Sequence, residues 1–460
     1  MTETQSEAAI RDEWGSIDPE FVTRVAEAVA GTDPKPVRAL NRDLHAADLA
    51  DLIASLDQPD RVKLIAALGR SFDVEALAEL DETVRDELLE ALPNDVIASA
   101  IKKLDTDDAL YLIEDLDESE QQDILAKVSK EDRATLSRAL DYPEYTAGRL
   151  MQTEFAAVPG FWTVGKTVDH LRTEKDLPDR FVEIYVVDPS FHLVGVVPLS
   201  RILRSPRERK IEAVMDDEQT VFKVGDEQED VAYKFEQYNL VSAAVTDEGG
   251  RLVGMLMVDD IVDVIQEEAE EDILRLGGVG GEESISDTVW ETTRSRFAWL
   301  FVNLATAVLA SWVISWFDAT LEQMVALAIL MPIVASMGGN AGTQTMTVAV
   351  RALATRSLGP LNAMRVAIRE TTVGLINGML FAVIMGLFAW WWFGQSGLGL
   401  VIAAAMVINL IAAALAGILV PLALDQFDID PAIASGTFVT TVTDVVGFFA
   451  FLGLAALWLM

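Results

Sequence analysis

The sequence predicts a multidomain membrane protein: an N-terminal α-solenoid of short helices, a duplicated α/β module, a linker helix and an all-α domain of five membrane spans. Hydrophobic residues make up 51% of the 460 residues although the net charge is −38. Residues 289–460 carry only 6 basic and 8 acidic side chains, whereas residues 1–288 carry 29 basic and 65 acidic ones. Such a chain separates into an acidic part in water and a nearly uncharged part in lipid.

The composition excludes several classes of function. A nucleic-acid partner is excluded because the acidic part would repel phosphate. A disulfide scaffold and thiol chemistry are excluded because the chain has no cysteine. The three histidines, His45, His170 and His192, are too scattered for a zinc or iron site. No residues suggest hydrolytic or transferase chemistry, so we expect no enzyme.

The first 18 residues are polar and acidic, without the basic and apolar regions of a secretory signal. We therefore expect the acidic part to stay in the cytoplasm. We expect residues 1–17 to be disordered, within an N-terminal segment, residues 1–34, that precedes the first domain.

Residues 35–150 are predicted to form the solenoid. Leucine recurs every 12 residues from Leu44 to Leu140, with Val128 in the one gap. The next residue is usually one that caps or stops a helix, such as Asp57 or Pro93. This period fits stacked short helices of about eight residues. Without a catalytic constellation, the domain is predicted to serve interaction or gating.

Residues 151–265 contain a duplication with an offset of 59 residues. Segments 184–188 and 192–197 are repeated in pattern at 243–247 and 251–256. Each copy has the pattern of a strand, a turn with an aspartate, a second strand and a short helix. The arrangement resembles a pair of CBS modules, which we place at residues 151–211 and 212–265.

The resemblance to CBS pairs implies adenine-nucleotide binding through a hydroxyl residue and an aspartate that starts a helix. The first copy offers Ser200 but has Arg201 at the aspartate position. The second copy offers Asp260 but has Met257 and Val258 where the hydroxyl is expected. Ser200 and Asp260 are thus candidate nucleotide contacts and ATP a weakly supported partner. The alternative is a purely structural or dimerising module.

A linker helix, residues 266–294, follows the second copy, and eight carboxylates lie within residues 259–272. Like charges at helical spacing destabilise a helix unless they are neutralised. One interpretation is a solvated acidic face or a general acidic enrichment. The other is that divalent cations bridge these acids to other acidic surfaces and control how closely the cytoplasmic parts pack. The candidate cation ligands are Asp259, Asp260, Asp263, Glu268, Glu271 and Asp272.

The domain at residues 295–460 contains five apolar stretches long enough to span a membrane. They run over residues 296–317, 325–349, 364–393, 398–424 and 431–460. Arginines precede the first stretch and lie between the second and third, so these junctions are predicted to be cytoplasmic. Five spans then place the C-terminus outside. We expect a multi-pass protein of the cell (inner) membrane.

The second stretch contains Pro332 and the segment 338–344, with three glycines and Asn340. One interpretation is close helix packing through small residues. The other is a break in the backbone that lines a water-filled path, where freed carbonyls and Asn340 face an ion.

The fifth stretch contains a single carboxylate, Asp444, 14 residues after Asp430 or about 21 Å along a helix. A carboxylate at such a depth costs roughly 2.5–3.5 kcal/mol on insertion scales. One interpretation is a protonated group bonded to neighbouring threonines. The other is a carboxylate that faces water and cations; oxygen donors suit Mg²⁺ or Ca²⁺. A two-fold dimer would place two such groups around one axis.

The order of modules, together with segments 142–151, 338–344 and 430–444, resembles the MgtE family of magnesium channels over about residues 35–460. The resemblance implies a homodimer in the lipid bilayer, with Mg²⁺ as transported and regulatory ion. Asp444 would hold hydrated Mg²⁺, with Asn340 near the cytoplasmic constriction. Asp430 joins the linker acids as a candidate metal ligand. Thr437 stands where the family commonly has proline.

The resemblance further implies that the helix over residues 266–288 is a plug, and that Mg²⁺ bound among the linker acids and acids of the N-terminal domain closes the channel. Two other classes of function remain open. One is a secondary transporter of divalent cations such as Mg²⁺, Co²⁺ and Mn²⁺, with the glycine-rich segment as its substrate site. The other is a membrane sensor whose CBS pair binds a nucleotide.

Overall fold

A computed structural model of the chain describes residues 10–114, 116–174, 177–178, 180–281, 283, 288–359, 361–427 and 429–460. The chain divides into two compact units, Met1–Ile265 and Gln266–Met460. The first unit contains a helical solenoid and two small sheets, and the second contains the membrane helices. The predicted order of modules is confirmed.

The solenoid consists of helices of 6 to 12 residues. They are α1 (Pro19–Ala30), α2 (Pro34–Leu40), α3 (Ala46–Ala54), α4 (Gln58–Leu68), α5 (Glu82–Ala91), α6 (Asn94–Ile101), α7 (Thr106–Tyr111), α8 (Glu118–Leu125) and α9 (Lys130–Leu140), with 3₁₀ turns at Gly69–Ser71 and Val74–Leu77 between α4 and α5. Leucines of the 12-residue repeat, such as Leu56 and Leu80, are buried in the common core. The repeat therefore marks the inner face of the solenoid.

The expectation of disorder at the N-terminus is wrong where the structure describes the chain. Residues 1–9 lie outside the described residues. Arg11 donates to Asp48 at 2.8 Å, and Ile17 is buried. Phe21 and Val25, one turn apart on α1, are buried in the solenoid core. This apolar spacing outweighs the polar composition of the segment.

The duplicated module forms two three-stranded sheets with the same topology. After α10 (Ala147–Leu150) come β1 (Ala157–Pro159), α11 (Val164–Thr173), β2 (Glu183–Val187), β3 (Leu193–Pro198) and α12 (Leu199–Arg204), then a 3₁₀ turn at Ile211–Ala213, β4 (Val221–Lys223), α13 (Gln228–Tyr238), β5 (Ser242–Thr246) and β6 (Leu252–Met257). In each sheet the first two strands are parallel and the last two antiparallel. The register repeats as well: Tyr185 pairs with Val196 in one sheet, and Ala244 with Met255 in the other.

The linker acids lie on one long helix, α14 (Val258–Leu276). The membrane helices are α15 (Val289–Ser315), α17 (Val325–Ala354), α18 (Ala363–Phe393), α19 (Ser396–Gln426) and α20 (Pro431–Trp458), with a short helix α16 (Asp318–Gln323) between the first two. Five of the described helices are long and apolar enough to cross a membrane, as predicted. The helix α19 lies at the centre, because it packs against α17, α18 and α20.

Candidate ion path and acidic clusters

The helix α17 carries the glycine-rich segment and is continuous through Pro332 and residues 338–344. The predicted break in the backbone is therefore wrong, and small-residue packing is the correct interpretation. A Cβ on Gly342 would lie 2.6 Å from Cγ1 of Val439 on α20. Only glycine, which has no side chain, lets α17 and α20 come this close. This packing stabilises α17 here despite the low helix propensity of glycine.

The two faces of α17 differ in polarity. One face is buried against α19 and α20 and carries Gly338, Gly342 and Met346. The other face is exposed within the part of the chain that the structure describes and carries Asn340, Thr343, Gln344 and Thr347. These positions are three or four residues apart and so form one polar stripe. A polar stripe in a membrane helix requires water, an ion or another polar surface beside it.

Asp444 is half-buried on α20. Among the residues that the structure describes, none forms a hydrogen bond or ion pair with its carboxylate. The nearby threonines do not serve it: Thr441 donates to the carbonyl of Thr437 at 2.7 Å, and Thr443 donates to Thr440 at 3.0 Å. The geometry thus does not support a carboxyl group bonded to neighbouring hydroxyls. It leaves a carboxylate that needs water or a cation.

Two buried polar side chains in the membrane helices escaped the sequence analysis. Asn409 on α19 is fully buried and donates to the carbonyl oxygen of Val334 at 2.8 Å. Glu370 on α18 is also buried and pairs with Arg369 at 3.0 Å. A count of charges overlooks Asn409, although it is the one strongly polar residue between residues 398 and 424.

A first acidic cluster joins the beginning of α14 to the solenoid within the first unit. Burial raises the pKa of Asp260 to about 7, with further contributions from the charges of Asp259 and Asp108. Burial also raises the pKa of Asp108 to about 6, helped by acidic neighbours that include Asp259. The pKa of Asp107 lies well above its usual value, first through burial and then through the charge of Asp260. These carboxyls therefore repel one another across two modules of the chain.

The same cluster extends to a neighbouring turn of the solenoid. Burial raises the pKa of Glu79, and the charge of Asp263 raises it further. The pKa of Asp263 is itself raised, by burial and by Asp259. Within the described ranges, no three acidic or histidine side chains already form a site for a metal ion. The carboxylates of this cluster are thus close enough to repel one another. A cation or a proton between α14 and the solenoid would relieve this repulsion.

The α14 half of this cluster was predicted from the sequence, but the solenoid half was not. The missed residues are Glu79, Asp107 and Asp108. The run of acids at residues 105–108 was a usable signal, because three carboxylates crowd the start of one short helix. Which turn of the solenoid lies against α14 depends on the fold, and the sequence alone does not determine it.

A second acidic cluster lies at the end of α14, within the second unit. Burial raises the pKa of Asp272 to about 6, with contributions from the charges of Asp430 and Glu268. Arg275 lies among these acids and forms ion pairs with both Glu271 and Asp430. Asp430 also caps α20 by accepting a hydrogen bond from the amide of Ala432 at 2.7 Å. The cluster thus joins the linker helix to the helix that carries Asp444.

The two candidate nucleotide contacts lie in different surroundings. Ser200 is exposed at the start of α12, and the adjacent Arg201 pairs with Asp216 at 2.7 Å. Asp260 belongs to the first acidic cluster, where one of its oxygens is buried without a partner among the described residues. A nucleotide phosphate close to this cluster would meet repulsion from several carboxylates.

Comparisons with known proteins agree with this architecture. Residues 331–454 match the MgtE family, described as divalent cation transporters, residues 44–145 match the MgtE intracellular N domain, and residues 211–267 match the CBS domain. The chain is similar to the magnesium transporter MgtE of Enterococcus faecalis, with 32% identity over 329 residues, or 72% of each chain. It is also similar to the magnesium transporter MgtE of Thermus thermophilus, with 32% identity over 358 residues, covering 73% of this chain and 78% of that one.

A solved structure resembles the first unit. It is the cytosolic domain of the Mg²⁺ channel MgtE in complex with ATP, and it matches with a TM-score of 0.50 and 28% identity. The match covers 53% of this chain and 99% of that one.

Proposed function

The chain belongs to the MgtE family of magnesium transporters, and from this premise we propose that it is a Mg²⁺-selective channel for magnesium uptake across the cell membrane. We further propose that it works as a homodimer and closes when intracellular Mg²⁺ binds to its acidic clusters. The observation that carries the proposal is the carboxylate of Asp444 on α20, which has no hydrogen-bond or ion-pair partner among the described residues and lies next to the helix with the polar stripe, α17.

The permeation path is proposed to lie between two copies of α17 and α20. A two-fold axis would place two Asp444 carboxylates and two Asn340 amides around one path. Carboxylate oxygens suit Mg²⁺, which sheds its water shell reluctantly and would pass Asp444 in hydrated form. By the positive-inside rule, we propose that Arg351 and the first unit lie in the cytoplasm and that the C-terminus lies outside. Asn340 lies about 16 Å along α17 from Arg351, and Asp444 lies about 21 Å along α20 from Asp430.

Gating is proposed to act through α14, which carries both acidic clusters. At low internal Mg²⁺ the carboxylates repel and the clusters open. At high internal Mg²⁺ bound ions neutralise them and stabilise the closed arrangement. The proposed ligands are Asp259, Asp260 and Asp263 at one end of the helix and Glu268, Glu271, Asp272 and Asp430 at the other. The ion shifts this equilibrium only by its higher affinity for the compact state.

The first test is Mg²⁺ uptake in a strain that lacks other Mg²⁺ importers. Asp444→Asn and Asp444→Ala are expected to abolish uptake while the protein still inserts. Asp425→Asn, which changes an exposed acid at the end of α19, is the matched control and is expected to support growth. Normal flux in both Asp444 variants would refute the assignment of the filter.

The second test concerns the sensor. Replacing Asp259, Asp260 and Asp263 together by asparagine is expected to leave conduction intact and to weaken inhibition by internal Mg²⁺. The measurement is single-channel open probability against internal Mg²⁺ in excised patches. Inhibition identical to that of the unmodified protein would refute the sensor role of this end of α14.

The alternative is a secondary transporter of divalent cations with a nucleotide-sensing CBS pair. The similar cytosolic domain that was solved with ATP favours the nucleotide part. The ion pair of Arg201 with Asp216 and the crowded surroundings of Asp260 weigh against it. Slow saturable exchange in place of single-channel currents would favour the transporter. A shift in Mg²⁺ inhibition by ATP that disappears in Ser200→Ala would favour nucleotide sensing.

A further inference from the structure

Asn409 lies in the middle of α19 with none of its surface exposed. Its Nδ2 donates to the carbonyl oxygen of Val334 on α17 at 2.8 Å, whereas its Oδ1 is buried without a hydrogen-bond partner among the described residues. A leucine would leave no polar atom unpaired here. The amide therefore contributes to packing through its shape and through its one hydrogen bond to α17. It is not part of a fully hydrogen-bonded polar network.

Two glycines, one on α17 and one on α20, face this amide. A Cβ on Gly338 of α17 would lie 2.2 Å from Nδ2 of Asn409, and a Cβ on Gly447 of α20 would lie 2.7 Å from the same atom. Both distances are shorter than any normal contact of a methyl group. Asn409 thus fills the space that two side chains would otherwise occupy, and it lies as a wedge between α17 and α20.

The wedge lies next to both proposed pore residues. Gly338 is two residues before Asn340 on α17, and Gly447 is three residues after Asp444 on α20, each less than one helical turn away. We propose that Asn409 is a positioning residue, which sets the spacing of α17 and α20 so that Asn340 and Asp444 face one path. The pore role of those two residues rests on the function proposed above.

The physical basis is the close packing of helices in the membrane. Because interiors are packed without free space, a change of one methyl group at a helix contact shifts the backbones. A methyl group at residue 338 or 447 pushes a pore helix away from Asn409, and Asn409→Ala lets the helices approach. Either shift changes the width of the path. The carboxylate of Asp444 keeps its chemistry, so its affinity for Mg²⁺ is not the quantity that changes.

The test measures Mg²⁺ flux into liposomes that contain the purified full-length chain, expressed per folded molecule. Gly338→Ala and Gly447→Ala are expected to lower the maximal flux about tenfold, with an unchanged half-saturating Mg²⁺ concentration. The matched control is Gly436→Ala on α20, where the atom nearest to an added Cβ is Cε of Met346 at 4.0 Å. This control is expected to conduct normally. Equal losses in Gly338→Ala and Gly436→Ala would overturn the proposal.

The decisive variant is the double substitution Gly338→Ala with Asn409→Ala. If the methyl group acts by striking Asn409, the double variant conducts as well as Asn409→Ala alone. Losses that multiply would show independent effects and overturn the proposal. If Gly338→Ala does not fold, recovery of the folded protein by Asn409→Ala becomes the measurement, and failure to recover overturns the proposal.

The flux of Asp444→Ala in the same liposomes distinguishes a failure of the proposed function from a failure of the proposed role of Asn409. Normal flux in Asp444→Ala refutes the proposed function and with it the pore role of the wedge. Absent flux in Asp444→Ala, together with multiplying losses in the double variant, refutes the wedge alone.

Discussion

The guanidinium of Arg275, near the end of α14, forms an ion pair with the carboxylate of Asp430, the residue that caps α20. A fixed positive charge therefore joins the linker helix to the helix that carries Asp444. Arg275 also pairs with Glu271, one turn earlier on α14. Burial and the charge of Asp430 raise the pKa of the nearby Asp272. The contact between α14 and α20 thus forms despite the repulsion among these carboxylates, because Arg275 neutralises part of their charge.

The first prediction follows from this ion pair. In Arg275→Gln the fixed charge is absent, so the proposed closure would depend more on mobile Mg²⁺. We expect half-inhibition of the current to need about fivefold more internal Mg²⁺, which corresponds to about 1 kcal/mol for a partly exposed pair. The measurement is open probability against internal Mg²⁺ in excised patches.

The control is Arg365→Gln, which removes an exposed arginine of α18. Its Mg²⁺ inhibition is expected to match that of the unmodified protein. If Arg275→Gln closes at lower Mg²⁺ than the unmodified protein, Arg275 competes with the ion instead of assisting it, and the prediction is wrong.

The second prediction concerns pH and the first acidic cluster. Asp108 and Asp260 have folded pKa values of about 6 and about 7, above the usual value of about 3.9. The folded unit then binds more protons than the unfolded chain between about pH 4 and pH 7. Without divalent cations, its stability falls as pH rises through this window and levels off above it.

The measurement is hydrogen exchange of the amides at residues 105–108 in the full-length protein, from about pH 5 to about pH 8, after correction for the intrinsic exchange rate. Mg²⁺ binds deprotonated carboxylates, so the protection that it adds is expected to grow with pH. The double variant Asp108→Asn with Asp260→Asn is expected to flatten the dependence. Asp95→Asn, outside the cluster, serves as control. Added protection that declines toward pH 8 would contradict the prediction.

The sequence predicted those parts of the fold that repeat or that a membrane requires. The 12-residue leucine period marks buried positions of the solenoid, and the 59-residue offset reproduces even the strand register, as Tyr185 and Ala244 show. The five spans follow from length and hydropathy. Such features are local or periodic, so composition and spacing suffice to find them.

The sequence misled where packing overrides local preference. Three glycines and a proline in one stretch favour a break, yet α17 is continuous, and α19 and α20 pack closely against Gly338 and Gly342. Asp444 was identified because a lone charge in a span stands out. Asn409 and the solenoid acids were missed because their roles depend on neighbours in other elements. The pair of Arg275 and Asp430 joins residues 155 positions apart, a distance that no spacing rule covers.

The third prediction concerns Glu154, which links the solenoid to the first sheet module. Its carboxylate accepts hydrogen bonds from the amide and hydroxyl of Thr106, at 3.2 and 2.8 Å, and from the amide of Thr153 at 3.1 Å. These bonds fix the start of α7, next to Asp107 and Asp108. Glu154→Ala is expected to leave the amides of Thr106 and Thr153 without this acceptor, whereas the Thr106 hydroxyl keeps its bond to the Thr153 hydroxyl. The change is expected to destabilise the first unit by about 1–3 kcal/mol and to weaken Mg²⁺ inhibition.

The measurements for Glu154→Ala are thermal unfolding and Mg²⁺-dependent open probability of the full-length protein. Conduction at low internal Mg²⁺ is expected to be unchanged, because the pore helices are not involved. Glu118→Ala, an exposed acid of α8, is the control. If Glu154→Ala is less stable but still closes at the normal Mg²⁺ concentration, the position of α7 does not matter for sensing.

The last prediction concerns Thr437, which lies near the beginning of α20. Here α20 continues through this residue, and the Thr437 hydroxyl donates to Oδ1 of Asn303 on α15 at 2.9 Å. Hydrogen bonds between membrane helices contribute about 0.6 kcal/mol on average. Thr437→Val and Asn303→Ala are each expected to lower the free energy of unfolding in mild detergent by about this amount.

Because Thr437 and Asn303 share one hydrogen bond, the double variant is expected to be as stable as the less stable of the two single variants. Flux is expected to be normal in all three variants. Thr440→Val is the matched control, since its hydroxyl donates to the carbonyl of Gly436 within the same helix at 2.8 Å. Free energies that add in the double variant would mean that the bond does not hold α15 to α20. A loss of flux in Thr437→Val would give this residue a role in permeation, because the change preserves shape and removes only the hydroxyl.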